Sequence, residues 1–291
     1  MLQPYNSFET NWLDRRYHYD NAARDKNVEK ACLNHLKNKS SVTILDIGSG
    51  TGSNCLYFLE KMPAVQNWIF VEHDERLSKY AFNRIKKHVP KLGYALKVAP
   101  QKLVLQKENR QVEITYITDS FMDLDKKVDL SKVDLVTAGA VFDLLSFKQF
   151  VDIASPILEN EIALLATMNY AEMNFSPSEA SDVLFIEKYE KHMSRKQDFG
   201  KAMGKDCSRS MVKFFRKHQK EVFYGASVWK LNGKEEETHR CIFEFMKSAV
   251  TEMIDEEEHT QLFSKWLYMK KELAAEGKLE TSIQHYDIFV K

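Results

Sequence analysis

The stretch ILDIGSGTG, residues 44–52, decides the fold of this chain. Its apolar first half indicates a short buried strand, and Gly48, Gly50 and Gly52 follow at alternate positions. Glycines at a strand-to-helix turn permit a positive φ angle, and they let a ligand approach the backbone where a side chain would clash. The helix beyond such a turn presents free N–H groups to a negatively charged group. The pattern therefore predicts a nucleotide-type ligand at the carboxyl end of the strand.

A dinucleotide-binding fingerprint is closely related to this turn, but the sequence departs from it. That fingerprint has glycine at its first, third and sixth positions. Counted from Gly48, the sixth position is Ser53. The departure disfavours a nicotinamide-dependent oxidoreductase. A tight turn that holds no ligand is the structural alternative.

Strands and helices alternate from about residue 40 to residue 170. Apolar segments predict further strands at residues 67–74, 112–121, 133–145 and 161–170, with helices at 20–36, 75–89 and 148–158. Alternation of this kind implies right-handed crossovers and a mostly parallel sheet. The polar stretch at residues 101–111 is expected to be a surface excursion.

The regular alternation of strands and helices ends at about residue 170. A loop is predicted over residues 173–182, followed by helices and by two strands, at residues 225–231 and 281–290. The expected fold class is α/β, with a Rossmann-like, doubly wound, mostly parallel sheet of seven strands and helices on both faces. A helical insertion is expected near the C-terminal half.

The composition limits which binding partners and which cellular compartment are expected. The 42 Lys and Arg residues balance 42 Asp and Glu residues, so the net charge is zero and the electrostatic footprint of a nucleic-acid binder is missing. No apolar run is long enough to span a membrane, and residues 1–16 do not resemble a secretory signal. Reduced thiols, no metal site and a cytoplasmic location are expected, because no CxxC pair occurs among Cys32, Cys55, Cys207 and Cys241.

The motif DIGSGTG, with an acidic residue before its first glycine, resembles motif I of the class I S-adenosylmethionine-dependent methyltransferases. The resemblance covers about residues 20–170 and recurs at the ends of four successive predicted strands. More narrowly, the chain resembles an uncharacterised bacterial methyltransferase group through Trp12-Leu13, Arg15 or Arg16, Asp20 and Arg24. The resemblance implies that S-adenosyl-L-methionine is the cofactor.

The resemblance also implies which residues bind this cofactor. Asp46 would face the methionine amino group, and Gly48 and Gly50 would let the backbone close around the donor. Glu72 at the end of the second strand would accept hydrogen bonds from both ribose hydroxyls, with Asp74 as the alternative. The cofactor residues predicted in the first two strand ends are Asp46, Gly48, Ser49, Gly50, Glu72 and His73.

The third and fourth strand ends complete the implied cofactor site. Asp119 would lie near the adenine amino group, with Ser120 beside it. In the fourth strand, Ala138 would lie beside the methionine portion. The resemblance supplies no acceptor.

Two residues are candidates for catalysis on the acceptor side. Asp143 follows the fourth strand, where relatives often have a polar residue facing the acceptor, and it could act as a base or cap the next helix. Tyr170 ends the fifth strand, on the rim where sheets of this type bind ligands. His192, on a charged helical face, is expected to be solvated.

The expected organisation is an N-terminal arm and helix over residues 1–38 and a methyltransferase domain over residues 39–291. An insertion at about residues 173–225 would cover the substrate together with the arm. The expected function is methyl transfer to oxygen or nitrogen of a small-molecule acceptor. A nonenzymatic S-adenosylmethionine-binding sensor or partner protein, and a methyltransferase that acts on a protein, remain alternatives. Neither nucleic acid nor a membrane is an expected partner, and the sequence does not indicate an oligomeric state.

Overall fold

The computed structural model describes residues 9–197, 200–255 and 257–291. Its strands, in chain order, are β1 (Ser41–Ile47), β2 (Val65–Glu72), β3 (Ala95–Ala99), β4 (Lys102–Lys107), β5 (Arg110–Thr118), β6 (Leu135–Gly139), β7 (Ala163–Ser176), β8 (Lys196–Gln197), β9 (Gly200–Lys201), β10 (Val222–Leu231) and β11 (Glu280–Val290). Its α-helices are α1 (Thr10–Ala23), α2 (Lys26–Leu36), α3 (Ser53–Phe58), α4 (Glu75–His88), α5 (Phe147–Glu159), α6 (Ala180–Met193), α7 (Cys207–Lys217), α8 (Glu236–Thr251) and α9 (Glu257–Ala275).

The main sheet has the strand order β10-β11-β7-β6-β1-β2-β5-β4-β3. The five central strands, β7, β6, β1, β2 and β5, are parallel to one another, and the strands at both ends pair in antiparallel fashion. The chain runs outward from β1 to β5 and then returns to β6 on the other side of β1. This reversal is the place where doubly wound sheets bind ligands, outside the carboxyl ends of the strands.

Helices cover both faces of the sheet, as predicted. One hydrophobic core contains side chains of α2, α3 and α4, among them Leu36, Phe58 and Ile85. The core on the opposite face contains side chains of α5 and α7, among them Phe150 and Phe215. The Rossmann-like fold class is therefore confirmed.

The prediction of seven strands is too low, because β3 and β4 extend the sheet beyond β5. Residues 101–111, predicted to be a surface excursion, form β4 and the start of β5. Leu103 and Leu105 alternate with less buried neighbours and are fully buried in the core. The alternation is not visible in the sequence because the less buried position between these two leucines is occupied by the apolar residue Val104.

The N-terminal region forms two helices instead of the single helix predicted from residue 20. They meet at Arg24 and Asp25, where the Asp25 carboxylate accepts hydrogen bonds from the N–H groups of Asn27 and Val28 and so caps α2. The sequence does not predict α1 because this helix has no fully buried residue apart from its C-cap, Arg24, and hence no apolar stripe.

The helical insertion is larger than predicted and comes in two parts. The loop predicted after residue 173 is the last part of β7, which pairs with β11 as far as Ser176. Helix α6 lies inside the predicted range of 173–225, whereas α8 and α9 lie between β10 and β11. We call α6, α8 and α9, with the ends of β7, β10 and β11 that they cover, the cap.

The cap has its own aromatic core and a buried ion pair. The core includes Phe185, Phe243 and Trp266. Lys270 is completely buried and lies 2.9 Å from Asp182, which also accepts a hydrogen bond from Trp266 Nε1. His192 is likewise buried in α6, so the prediction of a solvated histidine is wrong.

None of the helices in the described ranges combines the length and the apolar character that a bilayer crossing requires.

Candidate functional site

The glycine turn between β1 and α3 has the backbone that the motif predicts. Gly48 and Gly50 have φ angles of +59° and +52°, in the left-handed region that favours glycine. The N–H of Gly48 donates to the carbonyl of Val71 at 2.9 Å, so the turn lies against the end of β2. A Cβ atom on Gly48 would lie 2.8 Å from Cγ2 of Val141, in the loop after β6. The turn therefore lies between the ends of β2 and β6.

Glu72 is oriented by this turn. Its Oε2 accepts a hydrogen bond from the N–H of Gly50 at 2.9 Å, and its Oε1 accepts one from the N–H of Asp74 at 3.0 Å. Oε2 has a second lone pair and can still accept from a ligand hydroxyl, whereas Oε1 also lies 3.1 Å from Nδ1 of His73. Asp74 instead caps α4 and pairs with Arg76. Of the two acidic candidates, Glu72 is the one directed to the glycine turn, with exposed His73 beside it.

Asp46, near the end of β1, is buried, and one of its two carboxylate oxygens has no partner. Its Oδ1 accepts a hydrogen bond from Asn54 Nδ2 at 3.1 Å, whereas its Oδ2 is buried and unpaired. Burial raises the pKa of the Asp46 carboxyl to about 7, and the hydrogen bond from Asn54 and the charge of Arg24 oppose this increase. A buried acceptor without a donor is costly, and a cationic ligand group would satisfy it.

The other predicted cofactor residues fall into different environments. Ser49 is buried within the turn. Asp119 and Ser120 follow β5 and are exposed, and Asp119 pairs with Lys127 at 3.0 Å. That hydrogen bond with Lys127 lowers the pKa of Asp119. Ala138 is buried in the core on the α5 and α7 face, opposite Ala166 of β7.

Asp143 lies in a short turn of 3₁₀-helix after β6. Its Oδ1 is buried and unpaired, and burial raises the pKa of its carboxyl to about 6, against the influence of backbone N–H groups and of Arg16. The alternative of a helix cap is wrong, because Ser146 caps α5 in a reciprocal arrangement with Gln149. Oδ1 of Asp143 therefore remains an acceptor without a donor in the described part of the chain.

Tyr170 has its hydroxyl group engaged elsewhere. The hydroxyl donates to Oε1 of Glu190 in α6 at 3.1 Å, and Lys205 pairs with the other oxygen of Glu190 at 2.6 Å. Burial raises the pKa of the Tyr170 hydroxyl, and the charge of Glu190 adds to the increase. The phenol therefore remains protonated, and Tyr170 contributes its ring and its backbone to this region.

His285 lies beside Tyr170 and is a residue that the sequence analysis missed. Its Nδ1 is buried and unpaired, and its ring centroid lies 6.3 Å from that of Tyr170 and 5.3 Å from that of Trp229. Burial lowers the pKa of His285 to about 3, and the charge of Arg16 adds to this. The imidazole is therefore neutral near pH 7. No local motif surrounds His285, since only the pairing of β11 with β7 brings it to the site.

Helix α1 lies over this edge of the sheet. A Cβ atom on Gly50 would lie 3.8 Å from Cδ1 of Leu13. Asp14 of α1 lies 3.1 Å from Arg84 of α4, which donates in turn to Oγ1 of Thr51 at 2.8 Å. On its other side α1 contacts the cap, where Tyr19 and Thr238 share a hydrogen bond of 3.0 Å. Helix α1 thus links the glycine turn to the cap.

The fold is Rossmann-like, with a doubly wound sheet whose central strands are parallel. The order of the central strands, the glycine turn after β1 and the acidic residue at the end of β2 agree with the resemblance on which the sequence analysis relied. No group of three His, Cys, Asp or Glu side chains in the described part of the chain is arranged to hold a metal ion.

Solved structures provide a comparison. The chain is similar to mycolic acid cyclopropane synthase CmaA1 complexed with SAH and CTAB, with a TM-score of 0.47 and 11% identity over 100% of this chain and 99% of that chain. It is similar to cyclopropane synthase MmaA2 from Mycobacterium tuberculosis, with a TM-score of 0.44 and 12% identity over 98% and 100% of the two chains. Precorrin-6y C5,15-methyltransferase from Geobacter metallireducens has a TM-score of 0.41 and 11% identity over 92% of this chain and 87% of its own. No family model and no curated protein sequence matches the chain.

Proposed function

We propose that the protein transfers a methyl group from S-adenosylmethionine to an oxygen or nitrogen atom of a small-molecule acceptor. The observation that carries this proposal is the unpaired, buried Oδ2 of Asp46 beside a glycine turn that orients Glu72. A nucleoside that carries an amino acid needs an anionic acceptor for its ammonium group and a carboxylate that can accept from its ribose diol. Both lie at the switch point of the sheet, where such ligands bind.

The residues present fit S-adenosylmethionine. Asp46 Oδ2 would accept from the methionine ammonium group, and the Glu72 carboxylate would accept from the ribose hydroxyls. Gly48 and Gly50 would let the ligand approach the backbone closely, since neither carries a side chain at the turn. When bound, this cofactor supplies a methyl group on a positively charged sulfur atom, open to displacement by a nucleophile.

Asp143 is the residue that we propose to contact the acceptor. Its buried, unpaired Oδ1 can accept a hydrogen bond from a hydroxyl or an amine, and a pKa of about 6 leaves the carboxylate ionised near pH 7. It would orient the nucleophile and receive its proton as the new bond forms. Because the Tyr170 hydroxyl is bonded to Glu190, we assign Tyr170 a positioning role through its ring.

The covered site supports a small acceptor. Helix α1 and the cap close over the carboxyl edge of the sheet, with Arg15 and Glu237 paired at 2.7 Å and the rings of Trp12 and Phe245 5.0 Å apart. Such a cover leaves little room for a folded macromolecule.

The test is a transfer experiment with methyl-labelled S-adenosylmethionine and a cell extract separated into protein and small-molecule fractions. The proposal predicts label in the small-molecule fraction with the wild-type protein, and at least tenfold less with Glu72→Ala. Label that enters only the protein fraction would favour a protein acceptor. Binding of the cofactor without transfer to either fraction would favour a nonenzymatic sensor.

A further inference from the structure

Arg24, the C-cap residue of α1, is a buried cation that forms no ion pair within the described ranges. It is 5% exposed, and its guanidinium carbon lies 4.3 Å from the centre of the Tyr57 ring. Its hydrogen bonds go to neutral groups, from Nη2 to Asn54 Oδ1 at 2.6 Å and from Nη1 to Thr167 Oγ1 at 3.4 Å. Its Nε is buried and has no acceptor. Buried charges are normally paired, so this arrangement calls for an anion.

Asn54 connects this cation to Asp46 and also keeps the two apart. Its Oδ1 accepts from Arg24, and its Nδ2 donates to Oδ1 of Asp46 at 3.1 Å. Arg24 and Asp46 therefore share one amide side chain and form no direct ion pair within the described ranges. Each retains a buried atom without a partner, Nε on the guanidinium and Oδ2 on the carboxylate.

A pair of opposite charges that are close but not in direct contact is complementary to a zwitterion. An α-amino acid group carries its ammonium and its carboxylate on one carbon atom, so its site requires an anion and a cation a short distance apart. Guanidinium offers a planar fork of N–H donors that matches the two oxygens of a carboxylate. The separation of Arg24 and Asp46 by a single amide provides this arrangement at the end of β1.

We propose that Arg24 binds the carboxylate of the methionine portion of the cofactor, with Asn54 holding it in place, while Asp46 binds the ammonium group. This inference rests on the proposed function. It assigns a role to a residue outside the glycine motif, because Arg24 comes from the N-terminal helix that covers the site. Cofactor binding would then hold the C-terminal end of α1 against the sheet.

The test compares two ligands that differ only in the carboxylate. S-adenosylhomocysteine and its decarboxylated analogue are titrated into the wild-type protein, Arg24→Met and Arg24→Lys, and affinity is measured by calorimetry. We expect the wild type to bind the analogue about ten- to a hundredfold more weakly, the factor that charged hydrogen bonds contribute. Arg24→Met should lower the affinity for S-adenosylhomocysteine by the same factor and leave the affinity for the analogue unchanged. The affinity of Arg24→Lys for S-adenosylhomocysteine should lie between those of the wild type and Arg24→Met.

The control is Arg216→Met, in α7 on the opposite face of the sheet. Arg216 is exposed, and its loss should change the affinity for neither ligand. Equal binding of both ligands by the wild type, or an equal loss for both in Arg24→Met, would overturn this inference alone. If Arg24→Met fails to fold, Arg24→Lys keeps the positive charge and tests the same carboxylate contact. Failure of the wild type to bind either ligand would overturn the proposed function and the inference with it.

Discussion

The backbone N–H of Gly50 donates a hydrogen bond to Oε2 of Glu72 at 2.9 Å, which joins the turn after β1 to the end of β2. The contact orders an acidic side chain that is otherwise flexible, and 5% exposure keeps that side chain out of bulk water. A carboxylate held in this way is preorganised for a ligand, because little side-chain entropy remains to be lost on binding.

Glu72→Ala should weaken the binding of S-adenosylhomocysteine about ten- to a hundredfold, because two hydrogen bonds to a charged group are lost. Each such bond contributes roughly 1.5–3 kcal/mol, and hydrogen bonds from the ligand to water replace part of this energy. Asp74→Ala is the matched control, since it removes the cap of α4 and should cost about 1 kcal/mol of stability without a change in affinity. Calorimetry and chemical unfolding measure the two effects. The reverse pattern would assign the ribose contact to Asp74.

Gly50→Ala should lower the affinity for S-adenosylhomocysteine at least tenfold, because its new methyl group would occupy the surface that the ligand approaches. A side chain at a φ of +52° should also cost about 1–2 kcal/mol of stability. Gly93→Ala introduces comparable backbone strain at a φ of +84°, with only Lys107 near the new atom, and should leave binding unchanged. Unchanged affinity in a folded Gly50→Ala variant would mean that the ligand does not approach this turn.

Asp46→Asn should stabilise the ligand-free protein at pH 8 more than at pH 5. The pKa of Asp46 is raised from 3.8 to about 7, so its contribution to stability is full below about pH 4 and is lost as the pH rises toward 7. At about 1.4 kcal/mol per pKa unit, this lowers the free energy of unfolding by a few kcal/mol at pH 8. Asparagine does not ionise, so the variant keeps its stability as the pH rises. Urea unfolding at both pH values measures the difference. A gain in stability that is smaller at pH 8 than at pH 5 would contradict the burial of an unpaired carboxylate.

Asp143→Asn should lower turnover about a hundredfold or more and leave the affinity for S-adenosylhomocysteine unchanged, because the variant keeps the size of the side chain but loses its basicity. In the wild type, turnover should fall below about pH 6, where the carboxylate is protonated, and the variant should lack this limb. Ser146→Ala removes the actual cap of α5 and should cost about 1 kcal/mol of stability with normal turnover. Full turnover in Asp143→Asn would exclude the carboxylate as the base.

The parts of the site that the sequence predicts are those whose structure is local. A strand, a glycine turn and a helix follow one another over residues 41–58, so the backbone of Gly48 and Gly50 and the burial of Asp46 can be predicted from neighbouring residues alone. Glu72 can be placed because the next strand along the chain is also the next strand in the sheet.

The residues that the sequence does not reveal depend on distant pairing. His285 lies opposite Tyr170 because of the register between β11 and β7. Arg24 is held in place by a hydrogen bond to Asn54, which belongs to another helix. Helix α1 lacks an apolar stripe because it lies between the glycine turn and the cap and buries mixed aromatic and charged side chains against both. Such contacts produce no regular spacing of apolar residues in the sequence.

The most direct test of the central claim is a calorimetric titration of the wild-type protein with S-adenosylhomocysteine and, separately, with NAD. A buried acceptor on Asp46 and a diol acceptor on Glu72 predict saturable one-to-one binding of S-adenosylhomocysteine and no heat of binding with NAD. Tight binding of NAD, with none of the sulfur nucleoside, would contradict the assignment of this edge of the sheet to S-adenosylmethionine.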